Sequence, residues 1–359
     1  MYSGTPYASN LEPEGKPAAA ELAGLCLPGK ASGDERRPCD HYCRAMKKAA
    51  MIFGGVLSAL GLVLAALVAI SWAPDRPLSE LQARWAPQPS AFIDVQGMQV
   101  HLRDEGPRTD PVPIVLLHGT SSSLHTWDGW AQELKSDRRV IRFDLPGFGL
   151  TGPSADGDYR IESYVRFVAA VLDQLGVARC VLAGNSFGGE VAWETALAHP
   201  KRIEKLILVD AAGYPFQSRS VPIGFRIARM PVLNRLMEIT LPRRLVESSV
   251  RNVYGDPDKV TTKLVDRYFE LTLREGNRRA LVKRFEQAQA GLHADRIAAL
   301  KLPTLILWGG RDRLIPPADA LNFHRDIAGS RLGVFDELGH VPQEEDPGAT
   351  VAVARQFLS

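Results

Sequence analysis

From Ala91 onwards, short apolar runs alternate with amphipathic segments, and this alternation constrains the fold more than any other feature of the chain. Five of the runs are short, mainly apolar and end in glycine or a polar residue, which is typical of central strands in a parallel sheet. They are PIVLLHG (113–119), RVIRFDLPG (139–147), RCVLAGNS (179–186), KLILVDAAG (205–213) and PTLILWGG (303–310). Helical patterns such as IESYVRFVAAVLDQL (161–175) lie between them. The order predicts an α/β fold, with a mostly parallel central sheet and helices on both of its faces.

The ends of this region complete a single domain over residues 91–359. AFIDV and MQVHL flank Gln96-Gly97 and predict an opening β-hairpin, whereas RLGVFDE (331–337) predicts a last strand. The alternation is interrupted once, because about residues 214–295 contain helical patterns only. An insertion of this size between two strands predicts a helical cap.

The N-terminal part contains a candidate membrane helix at residues 49–73, which carry no charge. A helix of this length exceeds the ~30 Å hydrocarbon core of a bilayer. Arg44, Lys47 and Lys48 precede it, so the positive-inside rule predicts a single-pass anchor with a cytoplasmic N-terminus and an extracytoplasmic domain, periplasmic in a bacterium. The alternative is a signal peptide that starts at Met46 and is cleaved near Ala73.

The flanks of this helix and the overall charge limit the remaining possibilities. Residues 1–48 lack any sustained periodicity and predict a disordered tail, and the proline-rich residues 74–90 predict a linker. The formal net charge of +2 gives no support for a nucleic-acid partner. No cluster of residues suggests a metal ion or an organic cofactor, and the sequence predicts no oligomeric state.

The sequence Gly184-Asn185-Ser186-Phe187-Gly188 has the form G-x-S-x-G and stands between a predicted strand and a predicted helix. In that setting the motif predicts a sharp turn that exposes the serine hydroxyl, while Gly184 and Gly188 let strand and helix approach closely. A serine hydroxyl is a poor nucleophile and needs a base that is oriented by an acid. Asp312 and His340 each follow a later strand and supply those two residue types.

The order Ser186, Asp312, His340 is similar to that of the α/β-hydrolase superfamily, and the resemblance covers residues 91–359. LHGTSSSLHTW and DLPGFGLT, after the third and fourth strands, resemble two further motifs of that family. The resemblance implies that Ser186 is the nucleophile, His340 the general base and Asp312 the acid that orients it. Some members carry the acid one strand earlier, so Asp210 stays as an alternative.

The resemblance also implies an oxyanion hole made by the backbone N–H groups of Thr120 and Phe187. His118 and Gly119 are then expected to shape the loop that carries Thr120. His125 and Asp144 are expected to be structural.

These residues predict a serine hydrolase that cleaves carboxylic esters, lipid-derived esters included, through an acyl-enzyme intermediate. Two alternatives stay open. GNSFGG is also similar to hydrolases that cleave C–C bonds in ring-fission products, and an inert triad would leave a ligand-binding domain without catalysis. The cap segment 221–247 interleaves apolar side chains with arginines, which is typical either of a helix at the membrane interface or of a wall of an acyl pocket.

Overall fold

The computed structural model describes residues 37–231 and 233–359 of the chain, in two compact units that divide between Ala66 and Leu67. The predicted disordered tail therefore falls into two parts. Residues 1–36 lie outside the described residues, whereas residues 37–48 form the first turns of a helix. The prediction of disorder is wrong for residues 37–48, because the helix that contains the uncharged residues 49–70 already begins at Arg37.

The first helix, α1 (Arg37–Ile70), contains a candidate membrane span of 29 residues, Tyr42–Ile70, in which an 18-residue window has a mean hydropathy of 2.5. Its side chains are exposed, so the protein itself does not bury this apolar surface. At about 1.5 Å per residue the stretch is longer than the ~30 Å core of a bilayer. Among the described residues it is the one helix that is long and apolar enough to span a membrane.

An eight-stranded sheet organises the second unit. Its strands are β1 (Ser90–Val95), β2 (Met98–Glu105), β3 (Ile114–Leu117), β4 (Val140–Phe143), β5 (Cys180–Asn185), β6 (Ile203–Val209), β7 (Thr304–Gly309) and β8 (Arg331–Phe335). They lie in the order β1-β2-β4-β3-β5-β6-β7-β8. Strands β1 and β2 pair with each other, and β2 pairs with β4, in antiparallel fashion; every other pairing is parallel. The predicted hairpin and the mostly parallel sheet are confirmed.

Helices cover both faces of the sheet and fill the segment between β6 and β7. Those outside that segment are α2 (Leu78–Trp85), α3 (Asp128–Leu134), α4 (Ile161–Gln174), α5 (Phe187–Ala198), α11 (Ala318–Asp326), α12 (Pro342–Glu345) and α13 (Pro347–Leu358). Those inside it are α6 (Ile223–Ala228), α7 (Leu233–Leu236), α8 (Arg243–Val253), α9 (Thr262–Thr272) and α10 (Asn277–Gln287). Short 3₁₀ turns occur at Leu124–Trp127, Pro257–Lys259 and Ala294–Ala299.

The central strands are buried on both faces, which explains their continuous apolar sequences. Strands β3, β4, β5 and β7 have every residue buried, and two apolar clusters pack on opposite sides of them. Between β6 and β7, the described residues contain helices and turns but no strand. This helical insertion is called the cap below.

The proline-rich segment 74–90 packs against the cap instead of forming a free spacer, so the prediction of a linker needs correction. Helix α2 lies within it, and its Leu81 and Trp85 are buried with Leu150 and Leu271 in a small apolar cluster. The indole N–H of Trp85 donates to a Glu270 carboxylate oxygen at 2.7 Å. The prolines indicated a stiff segment. Leu81 and Trp85 dock it, but two apolar side chains are too few to form the periodic pattern that predicts a packed helix.

We expect Leu81→Ala to destabilise the second unit, because Leu81 is fully buried in this cluster. A Leu→Ala change at such a site typically lowers the free energy of unfolding by about 3 kcal/mol. Chemical denaturation of the full chain in detergent, followed by circular dichroism, measures the change. The exposed Gln82 on the same helix gives the control Gln82→Ala, with no change expected. Equal stability of both variants would show that the segment is an undocked spacer.

Candidate active site

Ser186 sits at a strained turn between strand β5 and helix α5. Its backbone has φ 57°, a left-handed conformation that is uncommon for a residue with a side chain. Glycines make the turn possible: a Cβ on Gly184 would collide with the carbonyl oxygen of Gly188, and a Cβ on Gly188 would collide with the carbonyl oxygens of Leu117 and His118. The strand, the helix and the loop after β3 therefore meet at backbone contact distance.

The loop after β3 lies directly against Ser186 and presents unpaired amides there. A Cβ on Gly119 would be 3.0 Å from the Cβ of Ser186. Within residues 37–231 and 233–359, the N–H groups of Thr120 and Phe187 have no hydrogen-bond acceptor, and both residues border the cavity that Ser186 faces. Two free donors beside a serine hydroxyl are the arrangement that an oxyanion hole requires.

His118 holds this loop in place. Its Nδ1–H donates to the Gly119 carbonyl at 2.8 Å, and its Nε2 accepts from the Leu145 N–H at 2.9 Å. Both ring nitrogens are thus occupied by backbone groups, and burial lowers the pKa of His118, so that the ring stays neutral. The side chain braces the loop and has no free nitrogen for proton transfer.

Asp144 and His125 likewise have partners inside the fold. Asp144 accepts from the backbone N–H groups of Leu124 and Leu150 and bonds His101 at 2.8 Å. His125 bonds the Ser123 hydroxyl and the Trp85 carbonyl. Burial lowers the pKa of His125 to about 3, so it is uncharged at neutral pH.

His340 and Asp312 form a buried acid–base pair. The Nδ1 of His340 lies 2.7 Å from a carboxylate oxygen of Asp312, whose other oxygen accepts the N–H groups of Leu314 and Ile315 at 2.7 and 3.0 Å. These amides hold the carboxylate in one orientation. A proton on Nδ1 leaves Nε2 of His340 as the nitrogen that accepts a proton.

Asp210 lies beside this pair at the end of β6. One of its oxygens accepts the Gly309 N–H at 2.9 Å, and the other has no hydrogen-bond partner. Burial and the neighbouring Asp312 charge raise the pKa of Asp210 well above its ordinary range. The structure therefore brings both candidate acids together, but it is Asp312 that contacts the histidine ring.

Ser186 and His340 border the same cavity. The Asn185 amide links their backbones, since it donates to the His340 carbonyl at 2.9 Å and to the Val209 carbonyl at 3.1 Å. Within the described part of the chain, the Ser186 hydroxyl makes no hydrogen bond and opens into the cavity.

Within residues 37–231 and 233–359, one group of three side chains that could ligate a metal ion is found, and it consists of Asp210, Asp312 and His340. Their donor atoms are already committed: both oxygens of Asp312 and Nδ1 of His340 take part in hydrogen bonds. An acid that orients a histidine explains these contacts, and a metal ion would have to break them.

The cavity over Ser186 has a volume of about 900 Å³ and lies between the sheet edge and the cap. Much of its wall is apolar, with Phe187 from the core and Tyr214, Phe225, Leu245 and Phe285 from the insertion between β6 and β7. Charged side chains also reach it, among them Arg160, Glu162, Arg166, Glu190, Arg229, Arg284 and His293. The enclosed space accommodates an apolar compound with a small number of polar groups.

The comparisons with known proteins agree with this geometry. A family model described as the alpha/beta hydrolase fold matches residues 112–347, about two thirds of the chain. The chain belongs to the alpha/beta hydrolase fold family. It is a hydrolase by this membership, as the resemblance implied.

The relatives with assigned activities carry more specific names. The chain is 30% identical over 286 residues to the 2-hydroxy-6-oxononadienedioate/2-hydroxy-6-oxononatrienedioate hydrolase of Escherichia coli O81, an alignment that covers 75% of this chain and 96% of that enzyme. It is 28% identical to the 2-hydroxymuconate semialdehyde hydrolase of Pseudomonas sp. strain CF600, with 76% and 95% covered. A solved variant of the meta-cleavage product hydrolase of Pseudomonas fluorescens has a TM-score of 0.65 at 25% identity, with 75% and 97% covered.

Sequence reasoning missed two charged side chains of the cavity, Glu190 and Arg284. Glu190 lies in the first turn of α5, in a segment otherwise rich in small and apolar residues. An acid in such a segment, so close to Ser186, could have indicated a side chain of the active-site cavity. Arg284 lies in RRALVKRFEQ, where four basic residues suggest a solvated face. Only the packing of α10 shows that two of the four, Arg278 and Arg284, are buried, and Arg278 is paired with Asp75.

Glu190 predicts a specific pH dependence of stability. Burial raises the pKa of Glu190 to about 7 from an ordinary value of 4.5, so the folded state keeps a proton that the unfolded chain loses between those pH values. The free energy of unfolding therefore falls as pH rises through this window. At ~1.4 kcal/mol per pKa unit the whole shift corresponds to roughly 3 kcal/mol, and we expect about 1–2 kcal/mol because the side chain borders the cavity.

Glu190→Gln removes the ionisation and should stabilise the protein more at pH 8 than at pH 5. Denaturation of the full chain at both pH values measures the difference, and Glu162→Gln, an exposed acid at the same cavity, is the control. A Glu190→Gln effect that is equal at the two pH values would contradict the assigned cause.

Proposed function

We propose that this protein is a serine hydrolase that cleaves the carbon–carbon bond beside a ketone in 2-hydroxy-6-oxo dienoic acids, through an acyl-enzyme on Ser186. The observation that carries the proposal is the arrangement at the turn: the strained Ser186 opens into the same cavity as His340, whose other nitrogen bonds Asp312. The relatives support the choice of bond, because their printed names denote 2-hydroxy-6-oxo acids and they align along nearly their whole length.

In the proposed reaction, the Ser186 oxygen attacks the ketone carbon while Nε2 of His340 takes the hydroxyl proton. The oxyanion that forms accepts hydrogen bonds from the N–H groups of Thr120 and Phe187. The carbon–carbon bond breaks when its electron pair moves onto the departing fragment, which receives the proton from His340. Water, deprotonated by His340, then hydrolyses the acyl-enzyme and restores the Ser186 hydroxyl.

A departing carbon needs a way to delocalise its negative charge, and this requirement limits the substrates. In a 2-hydroxy-6-oxo dienoic acid the keto tautomer conjugates the departing carbon with the 2-oxo group, which takes up the charge. An ordinary ketone lacks such a group. The proposed C–C activity is therefore specific to conjugated oxo acids, and the catalytic residues themselves are the same as for ester hydrolysis.

Hydrolysis of carboxylic esters is a second candidate. The apolar cavity wall favours it, since Phe225, Leu245 and Phe285 could hold an acyl chain. An ester needs no conjugation, because an alkoxide or phenoxide leaves and takes the proton from His340 in place of the carbon fragment.

A substrate panel distinguishes the two candidates. We expect the full chain in detergent to cleave 2-hydroxy-6-oxo-2,4-dienoic acids with a kcat/KM at least roughly 10-fold above that for nitrophenyl esters of matched acyl groups. Ultraviolet–visible spectroscopy follows both reactions. A reversed ratio would favour the esterase, and turnover of neither class would contradict hydrolysis at this site.

The proposed roles predict the behaviour of three variants. Ser186→Ala should abolish turnover of either class, and Asp312→Asn should lower kcat by roughly 10³–10⁴-fold because the histidine loses the acid that fixes its tautomer. Asp210→Asn should cost less than 10-fold, since Asp210 does not contact His340. A larger loss from Asp210→Asn than from Asp312→Asn would reverse the assignment of the acid.

We further propose that the chain is a single-pass membrane protein with a cytoplasmic N-terminus, anchored by the predicted span 49–73, of which residues 49–70 lie in α1. The length and apolarity of Tyr42–Ile70 support an anchor, as do Arg44, Lys47 and Lys48 near its N-terminal end. The alternative of cleavage near Ala73 would release a chain that lacks this helix.

Residues just after the helix support a position of the cap at the membrane interface. The Ala73 N–H donates to the Ile239 carbonyl at 3.0 Å, and the Leu241 N–H donates to the Ser71 carbonyl at 2.9 Å. Exposed apolar side chains cluster in this part of the cap, at Ile223, Met230, Leu233, Leu236 and Ile239. Trp72 is itself exposed, which is typical of an aromatic residue at the lipid headgroups.

Trp72 offers a direct test, because the other five tryptophans of the chain are buried. In bilayers with brominated acyl chains we expect the tryptophan emission of the full chain to be partly quenched, and Trp72→Phe to remove the quenching. The protein should also stay with membranes after alkaline extraction, at its full length. Emission that brominated lipid leaves unchanged would place Trp72 away from the bilayer.

A further inference from the structure

Arg284 is a buried cation without an ionic partner at the wall of the active-site cavity. Its side chain is 7% exposed, on helix α10 of the cap. Within the described part of the chain it makes no side-chain hydrogen bond, and no carboxylate oxygen lies within 4.0 Å of its nitrogens. A buried charge normally has a partner, because burial removes its hydration at a large cost.

Aromatic rings hold the guanidinium of Arg284 in position. Its central carbon lies 3.6 Å from the ring centroid of Phe187 and 5.8 Å from that of Phe285. Phe187 directly follows Ser186, so Arg284 is close to the reacting serine as well as being part of the same cavity. Stacking of this kind leaves the edge of the guanidinium plane, where the N–H groups point, available to a ligand.

The other charged residues of the cavity differ from Arg284. Arg160 forms an ion pair with Asp158, and His293 forms one with Glu194. Arg229 lacks an acidic partner too, but it is exposed and water solvates it. Arg284 alone, among the arginines that line the described cavity, is both buried and unpaired.

Glu190 is the nearest acid of the cavity wall and does not neutralise Arg284. It lies beyond ion-pair distance of Arg284, and burial raises the pKa of Glu190 to about 7, which favours its uncharged form more than in an ordinary glutamate. The Tyr164 hydroxyl, which also contributes to the surroundings of Arg284, donates to the Pro146 carbonyl at 3.0 Å. The cavity thus has a cation that lacks an anion.

We propose that Arg284 binds a carboxylate group of the substrate, so that the compound hydrolysed at Ser186 is an acid with an apolar body between its carboxylate and its reacting carbonyl. A guanidinium presents parallel N–H donors that match the two oxygens of a carboxylate. The hydrolysis step rests on the proposed function above, whereas the binding of the carboxylate does not. The proposal applies to either bond class, because it concerns the part of the substrate that does not react.

Matched esters test the proposal through turnover. Nitrophenyl monoesters of succinic, adipic and suberic acids are compared with nitrophenyl esters of the corresponding monocarboxylic acids, so that each pair differs in the terminal carboxylate. We expect Arg284→Gln to lower the kcat/KM ratio of acid to neutral ester by roughly 10–100-fold at the best length, mainly through KM. Lys283→Gln removes a charge from the neighbouring exposed position on the same helix and should leave the ratio unchanged.

Binding tests the same subsite without catalysis. With Ser186→Ala as the background, calorimetry should show that hexanoate binds more tightly than the uncharged hexanamide and that a second change, Arg284→Gln, removes the difference. If no ester or dienoic acid is turned over but this difference is found, the subsite is supported and the proposed function fails. If turnover occurs and Arg284→Gln affects acid and neutral substrates equally, the subsite is overturned and the proposed function stands.

Thermal unfolding separates a binding role from a structural one. An unpaired buried charge destabilises the ligand-free protein, so Arg284→Met should unfold at the same temperature as the wild type or higher. Adipate should raise the unfolding temperature of the wild type and leave that of Arg284→Met unchanged. A lower unfolding temperature of Arg284→Met, together with an equal response of both variants to adipate, would show that Arg284 serves the fold.

Discussion

The close approach of three backbone segments around Ser186 is the constraint on which the site depends. The end of β5, the start of α5 and the loop after β3 meet at distances that exclude a Cβ at Gly184 and Gly188. The same contact forces Ser186 into a left-handed conformation and leaves the amides of Thr120 and Phe187 without acceptors. The strained serine and the free donors are therefore two consequences of one packing requirement, and the burial of the surrounding strands stabilises both.

The buried acids show how the fold assigns different states to similar residues. Asp312 accepts two backbone N–H groups and the His340 ring, so its negative charge is well solvated by the protein. Asp210 accepts one N–H and lies next to that charge, which with burial raises the pKa of Asp210. Only one of two adjacent buried carboxyl groups ionises easily. The sequence placed both acids at strand ends, but the difference between them arises from amides that tertiary packing provides.

Local signals explain which features the sequence could predict. The strands and the turn at Ser186 each have a pattern within ten to fifteen residues, and the predicted alternation of strands and helices along the chain agrees with the structure. The docking of α2 and the burial of Arg284 have no such pattern, because they depend on contacts with residues far away in the chain, Leu271 for α2 and Phe187 for Arg284. For the same reason the sequence favoured esters: the residues around Ser186 are common to both bond classes, and the relatives favour C–C hydrolysis.

In the proposed function, the core carries the reacting residues and the cap carries residues that contact the rest of the substrate. Ser186, Asp312 and His340 belong to segments at the ends of β5, β7 and β8, whereas Arg284 and Phe285 belong to helix α10 of the cap. The two parts are joined near the site, since the His340 N–H donates to the Val253 carbonyl of α8 at 2.7 Å. A substitution in α10 can therefore change which carbonyl compound is bound while the turn, the amides and the acid–base pair stay in place. The choice of substrate is then a property of the cap, and the reaction a property of the sheet edge.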